Sequence, residues 1–316
     1  MSSDLSIIIP VYNSKDYILD CVNSIKILDN TNYEIIIVND GSSDNSLDII
    51  NLIASENPRV RIISQENKGL GGARNTGILN SNGKYVLFLD SDDRLNLNIF
   101  NKYLKKDDFD ILEFSVNFLN EDGIIKSTLK KQENIISKVG VDYTLKFGFE
   151  SSACNKIYNL NFLLRNNIFF KERIYCEDIH FNSRAFYFAK SVRSTSEILE
   201  NIYLTPNSIT RGDDPLKKNK LSTDLMFVFD DLKYFFNEQN FSTQKYSKLI
   251  LGDLALGIIH MNLKLNRDAS LYFNFFKENK LYFYSYGMKK NIYKFFLINK
   301  ISFVLLSLIY AFKFKY

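Results

Sequence analysis

Two carboxylates one residue apart repel each other unless a cation lies between them, and Asp90-Ser91-Asp92 sets up that situation. Hard divalent ions, Mn²⁺ or Mg²⁺, take such oxygens and keep coordination positions open for phosphate. A second cluster, Asn67-Lys68-Gly69-Leu70-Gly71-Gly72-Ala73-Arg74-Asn75, combines glycines that permit close backbone approach to a ligand with an arginine fork for phosphate and the free N–H groups of a helix start. It is not a dinucleotide fingerprint, because Arg74 stands where a glycine is needed, and no Gly-Lys-Ser/Thr follows to make a Walker loop. Tyr12, after Pro10-Val11, offers a ring on which a base could stack. Asp40 offers an acceptor for a uracil imide N–H, although Asp40-Gly41 alone reads as a turn. Farther on, Glu177-Asp178 precedes a helical pattern (Phe181, Ala185, Phe188). One of these acids could serve as general base while its neighbour sets its orientation or pKa; the plainer reading is a pair of acids favouring the helix dipole. His180 reads as structural, since the chain has only one other histidine, His260.

The elements that must position these groups are legible as apolar periods. Leu5–Ile9, Ile35–Val38, Val60–Ile63 and Tyr85–Leu89 are short, near-continuous apolar runs, the pattern of strands buried on both faces of a parallel sheet. Between them, Tyr17, Cys21, Ile25 and Leu28 recur at helical spacing, as do Leu47, Ile50 and Ile53 after the capping candidate Ser43. Strand–helix alternation predicts an open α/β sheet, and such sheets bind ligands at the carboxyl ends of their strands. Each of the first four clusters follows one of the four strands directly, so the topology delivers all of them to one edge. After about residue 108 the pattern changes. Ile111–Phe118 reads as a strand, Glu121-Asp122-Gly123 as a turn, and from Lys217 onward the chain is mainly helical, with Leu225, Phe229, Leu232 and Phe236 in register. The expected organisation is a first α/β part at 1–108, a second part at 109–215 and a helical region at 216–316.

The 316 residues are 46% hydrophobic and 15% aromatic, which is globular composition. Cys21, Cys154 and Cys176 are too few for a disulfide framework and fit a reducing compartment. The start lacks the basic stretch of a secretory signal, and no run of 18 apolar residues predicts a transmembrane helix. The net charge of +4 hides an asymmetry: residues 271–316 hold eight lysines against one acid, leaving the first 270 net acidic, which disfavours nucleic-acid binding. The same tail carries 16 aromatic residues and the apolar run Ile301–Phe312, too short to span a bilayer but suited to an anionic interface; packing on the core or in an oligomer interface is the other reading.

The ordered motifs SIIIPVYN (6–13), IVNDGSSD (37–44), NKGLGGARNTG (67–77), YVLFLDSDD (85–93) and EDIHF (177–181), with a weaker echo in Asn155-Lys156-Ile157-Tyr158, resemble glycosyltransferase family 2 over roughly residues 4–211. The resemblance implies a GT-A fold, a mostly parallel sheet flanked by helices, with residues 1–108 as its nucleotide-sugar-binding half and 109–215 as its acceptor-binding half. It further implies an inverting transfer from a nucleotide sugar, usually UDP-linked, to a saccharide acceptor that is lipid-linked in bacterial surface-polysaccharide synthesis (O-antigen or capsule). Carried onto this chain, Pro10, Val11, Tyr12 and Asp40 would hold the base, with Gly72, Arg74 and Ser91 near the nucleotide. Asp90 would meet ribose or metal, Asp92 would coordinate Mn²⁺ or Mg²⁺, and Asp178 would deprotonate the acceptor. Glu177 and Lys156 would orient acceptor or base. The expected location is the cytoplasmic, inner face of the plasma membrane, through the tail. The sequence departs from the family at Thr205-Pro206-Asn207, where relatives often carry a Tyr-Arg-rich segment; Arg211 is the substitute at hand. Two other classes compete: a haloacid-dehalogenase-like phosphatase with Asp90 as nucleophile, and a non-catalytic membrane-associated scaffold.

Overall fold

The computed structural model describes residues 3–25, 31–96, 100–104, 108–133, 135–137, 139–205, 214–239 and 244–265. The tail at 271–316, Leu28, and Pro206, Asn207 and Arg211 lie outside the described residues. The chain divides into two compact units, one of residues 1–143 and 151–206, the other of 144–150 and 207–316. Both expected halves, 1–108 and most of 109–215, fall in the first unit.

That unit opens with β1 (Leu5–Val11), α1 (Ile18–Ser24), β2 (Tyr33–Asp40), α2 (Ser46–Glu56), β3 (Val60–Gln65), α3 (Gly69–Leu79) and β4 (Tyr85–Phe88). β1 pairs in parallel with both β2 and β4, and β2 with β3. Every residue of β1 is buried, as the apolar run predicts. Ile7 and Ile9 enter the main core with Ile18, Cys21, Ile35 and Ile37, whereas Ile36, Val38 and Ala73 form a smaller cluster with α3. Burying one such isoleucine contributes about 1.5–3 kcal/mol. Gly77 sets how closely α3 lies on the sheet, because a Cβ there would overlap Ile8. Two expectations need correction. β3 is the edge strand of the sheet among the described residues, and of its residues only Val60 is buried, with Ile62 and Ile63 half-buried and Arg61 and Ser64 exposed. The cap of α2 is Asn45, not Ser43, whose N–H and hydroxyl go to Asn13 Oδ1; the buried face is Ser46, Ile50 and Ile53, and Leu47 is 38% exposed.

Then follow β5 (Arg94–Leu95), α4 (Phe100–Leu104), β6 (Ile111–Leu119), β7 (Ile125–Leu129), β8 (Ile135–Ser137), α5 (Gly140–Phe147), β9 (Lys156–Asn159), α6 (Leu160–Arg165), α7 (Glu177–Phe188) and β10 (Val192–Tyr203). The sheet runs β3-β2-β1-β4-β9-β6-β10-β5, with β7 beside β6 and β8 beside β10. β9 is antiparallel to both neighbours, so the parallel part ends at β4 on this side, and parallel pairing resumes only between β6 and β10. In the second unit, α8 (Pro215–Asn237) starts with Asp214 accepting from the Leu216 N–H and Pro215 in the first turn. It packs with α9 (Gln244–Lys264). Leu225, Phe229, Leu232 and Phe236 are buried as their spacing predicts, and Phe236 meets the Tyr246 ring edge-on. Among the described residues no helix is long and apolar enough to cross a membrane.

Candidate active site

Parallel pairing in register, Val11 opposite Asn39 and Asp40 opposite Gln65, aligns the carboxyl ends of β1, β2 and β3, with β4 beside β1. Hydrogen bonds then stitch the loops beyond them. Asn13, in the left-handed region (φ 51°), accepts from the Ser43 N–H at 2.8 Å. The Ser14 N–H donates to Ser46 Oγ at 2.8 Å, and Ser91 Oγ donates to Ser14 Oγ at 2.7 Å. Ser91 is thereby a tie between loops. Tyr12 is 54% exposed, its ring open to a stacking partner, whereas Pro10 and Val11 lie buried in the strand. The Val11 side chain belongs to the core, so only its backbone can serve a ligand.

Asp40 is almost wholly buried. Its Oδ1 accepts from Gln65 Nε2 at 2.6 Å and from the Lys68 N–H at 2.8 Å, and its carbonyl accepts from Asn67 Nδ2. These bonds orient the carboxylate and leave Oδ2 outside them. The glycines after Lys68 do something other than admit a ligand. A Cβ on Gly71 would overlap the Lys171 carbonyl, one on Gly69 would press 3.1 Å from the Arg173 backbone, and one on Gly72 would overlap Lys68. The backbone they accommodate is largely the chain's own segment 170–173, whose Arg173 N–H donates to the Lys68 carbonyl at 3.0 Å.

Arg74 is the largest departure from expectation. Rather than reaching toward a phosphate, it is buried, and its guanidinium gathers three carboxylates: Asp178 at 2.6 Å and Glu177 at 3.0 Å through Nη1, and Asp90 at 2.8 Å through Nη2. The rings of Phe170 and Phe88 lie 5.2 and 5.9 Å from its Cζ, desolvating the guanidinium and fixing its plane. Asp178 accepts a second bond at Oδ2 from the Ala153 N–H at 3.0 Å, and its side chain is 22% exposed. Burial raises its pKa, opposed by Arg74 and by the Ala153 N–H. Burial, with the Asp178 charge adding to it, pushes Glu177 up to about 7. The pair opens α7 just after Cys176, which holds φ 59°, so the turn aims both acids inward.

In the acidic turn, the Asp92 carboxylate accepts from Thr205 Oγ1 at 3.3 Å, and Asp93 accepts from the Tyr203 N–H at 2.8 Å. Burial and the charges of Asp90 and Asp92 push Asp93 well above the carboxylate range; burial and Asp93 do the same to Glu200. Glu200 is fully buried, and neither of its carboxylate oxygens is hydrogen-bonded among the described residues. No group of three or more His, Cys, Asp or Glu side chains forms a metal shell among the described residues. The donor set nevertheless suits Mg²⁺ or Mn²⁺, which are commonly held by one or two carboxylates with the remaining ligands from water and substrate phosphate. Asp90 and Asp92 would hold that ion.

Sequence reasoning missed Gln65, Ala153 and Glu200. The parallel register of β2 and β3, which sets Gln65 beside Asp40, was the only available signal for the first. Lys156 is fully buried, so it does not reach an acceptor; it pairs with Glu113 at 3.3 Å.

The family model described as glycosyl transferase family 2 matches residues 6–116. The uncharacterized glycosyltransferase YibD of Escherichia coli is 31% identical over 226 residues, 66% of this chain and 64% of YibD, so the match spans just under two thirds of that relative. EpsH of Bacillus subtilis is 30% identical over 259 residues, 77% of this chain and 72% of EpsH. The crystal structure of S. aureus TarS 1-349 in complex with UDP-GlcNAc superposes with a TM-score of 0.57 at 22% identity, over 83% of this chain and 85% of that one, which shows a shared fold. Strand order, the loops at one sheet edge and these matches agree: the chain belongs to glycosyltransferase family 2.

Proposed function

We propose that this protein transfers a sugar from a UDP-linked donor to a hydroxyl of a saccharide acceptor, inverting the anomeric carbon. The observation that carries the reading is the bridge made by Arg74, which holds Asp90, in the motif that would meet the donor, and Asp178 on one guanidinium. A donor at the strand ends would therefore present its anomeric carbon near the one acid suited to act as base. Tyr12 would stack on the base, and Asp40, fixed as an acceptor through Oδ1, would take the uracil imide N–H on Oδ2. A protein of the same fold crystallised with UDP-GlcNAc supports a uridine donor.

Asp178 removes the proton from the acceptor hydroxyl as that oxygen attacks the anomeric carbon from the face opposite the diphosphate. The bond from carbon to diphosphate oxygen breaks, and its electron pair leaves with the diphosphate. Burial raises the Asp178 pKa, which improves it as a proton acceptor, and the bonds from Arg74 and Ala153 oppose that rise. Mn²⁺ or Mg²⁺, held by Asp90 and Asp92, would neutralise charge on the leaving diphosphate. We place the reaction on a lipid-linked acceptor at the cytoplasmic face of the plasma membrane, an assignment resting on the basic aromatic composition of residues 271–316. Family membership leaves the phosphatase and scaffold alternatives without support, and three motif-bearing strands precede Asp90.

Asp178→Asn tests the reading. Donor affinity should stay within about twofold of the parent while transfer falls by about a thousandfold, the middle of the range for loss of a general base. Near-parental turnover by the variant would reject the assignment.

A further inference from the structure

Lys156 places a full positive charge in the interior of the first unit, where the reaction proposed above gives it nothing to do. A buried ammonium is costly unless it is paired and fully hydrogen-bonded. Lys156 is paired and donates two hydrogen bonds, and its partners show where its influence goes. Nζ lies 3.3 Å from Glu113 Oε1, which neutralises it. The remaining donors reach forward to the segment just before β9, to the Ser152 carbonyl at 2.5 Å and Asn155 Oδ1 at 2.8 Å. Glu113 is in turn held by Lys131 at 3.0 Å and by the Tyr143 hydroxyl at 2.7 Å, so the anchor itself is fixed.

The segment thus pinned, residues 151–155, is the one that touches the proposed base. Ala153 N–H donates to Asp178 Oδ2, and Arg74 Nη2 lies 3.6 Å from Cys154 Sγ. From α7, Asn182 holds the same segment by donating to the Ser151 carbonyl at 2.7 Å, and Tyr158 Oη donates back to Asn182 at 2.7 Å. Residues 151–155 are therefore clamped on both sides of Ala153. With Oδ1 on Arg74 and Oδ2 on Ala153, the Asp178 carboxylate is held at both oxygens.

We infer that Lys156 is a positioning residue for proton removal: it holds residues 151–155 so that the Ala153 N–H fixes the Asp178 carboxylate in line with the acceptor hydroxyl. This rests on Asp178 being the base. Lys156 is fully buried and acts on Asp178 through that segment, its charge also opposing the rise in the Asp178 pKa.

The experiment is a double-mutant cycle on the full chain, with transfer rate and donor KM measured for the parent, Lys156→Met, Asp178→Asn and the double variant. Lys156→Met should lower kcat at least tenfold with donor KM within about twofold. Added to Asp178→Asn, it should cost no further activity, because the residue it positions is already disabled. Independent, multiplying losses in the double variant, or a Lys156→Met enzyme with parental kcat, would overturn the inference. If Asp178→Asn itself keeps parental turnover, the base assignment fails, and that outcome is separate from the behaviour of Lys156→Met. Removing Lys156 alone strands the Glu113 charge. If that variant does not fold, Glu113→Gln with Lys156→Met removes both buried charges and should give the same kcat loss and the same absence of further loss on Asp178→Asn.

Discussion

One guanidinium facing three carboxylates leaves negative charge in excess, and Glu177 bears the consequence. It is buried beside Asp178, and its folded-state pKa rises to about 7. In an unfolded chain the same group titrates near about 4.3. Between those values the folded protein binds the extra proton, so stability falls as pH rises through the folded-state value. Denaturant midpoints of the parent should accordingly drop between pH 5 and pH 8. Glu177→Gln should flatten that dependence, since glutamine keeps a neutral side chain at every pH. An equally steep decline in the variant would assign the effect to another group. Single residues such as Tyr12, Asp40, Asp90 and Asp178 could be nominated from the sequence because each follows a strand or opens a helix. What they bond to could not, since Arg74 and Asp178 lie 104 positions apart and no local pattern joins them.

At the scale of elements, the glycines of α3 record how one segment of chain lies against another. Gly71 faces the Lys171 carbonyl, and backbone cannot swing aside as a long side chain can. Gly71→Ala should therefore destabilise the first unit by about 1–3 kcal/mol, the usual cost of overpacking. Gly257 in α9 is the counter-case: among the described residues a Cβ there would meet Leu225 Cδ2 alone, at 4.0 Å. Gly257→Ala should stabilise by up to about 1 kcal/mol through helix propensity. Thermal unfolding of the two variants checks both signs. The same comparison shows why the glycine-rich stretch misled as a sequence feature, because close approach of a ligand and close approach of the chain's own backbone demand the same residue. The parallel strands were legible because Ile7–Ile9 and Ile35–Val38 need burial on both faces. β9 was not, because Lys156-Ile157-Tyr158-Asn159 puts a charged and a polar residue at its ends where β4 is apolar throughout, and it owes its place to the gap between β4 and β6.

At the scale of the whole molecule, the proposed function sets a nucleotide-sugar site in the first unit and a proposed membrane-facing role for residues 271–316. Each lysine near an anionic surface contributes about 1 kcal/mol, so a chain ending at residue 288, which lacks six of the tail's eight lysines, should partition onto anionic liposomes far more weakly than the full chain. Equal partitioning would remove the membrane from the account. The most direct measurement concerns the strand-end site itself: thermal unfolding of the parent and of Asp40→Ala with UDP or CDP, each with Mn²⁺. A ligand bound only by the folded state at a hundred times its Kd stabilises by about 2.7 kcal/mol. UDP should raise the parent's midpoint by several degrees, CDP, which lacks the imide N–H, should raise it less, and Asp40→Ala should lose the UDP-specific part. A parent that responds to neither nucleotide, or equally to both, would contradict the account.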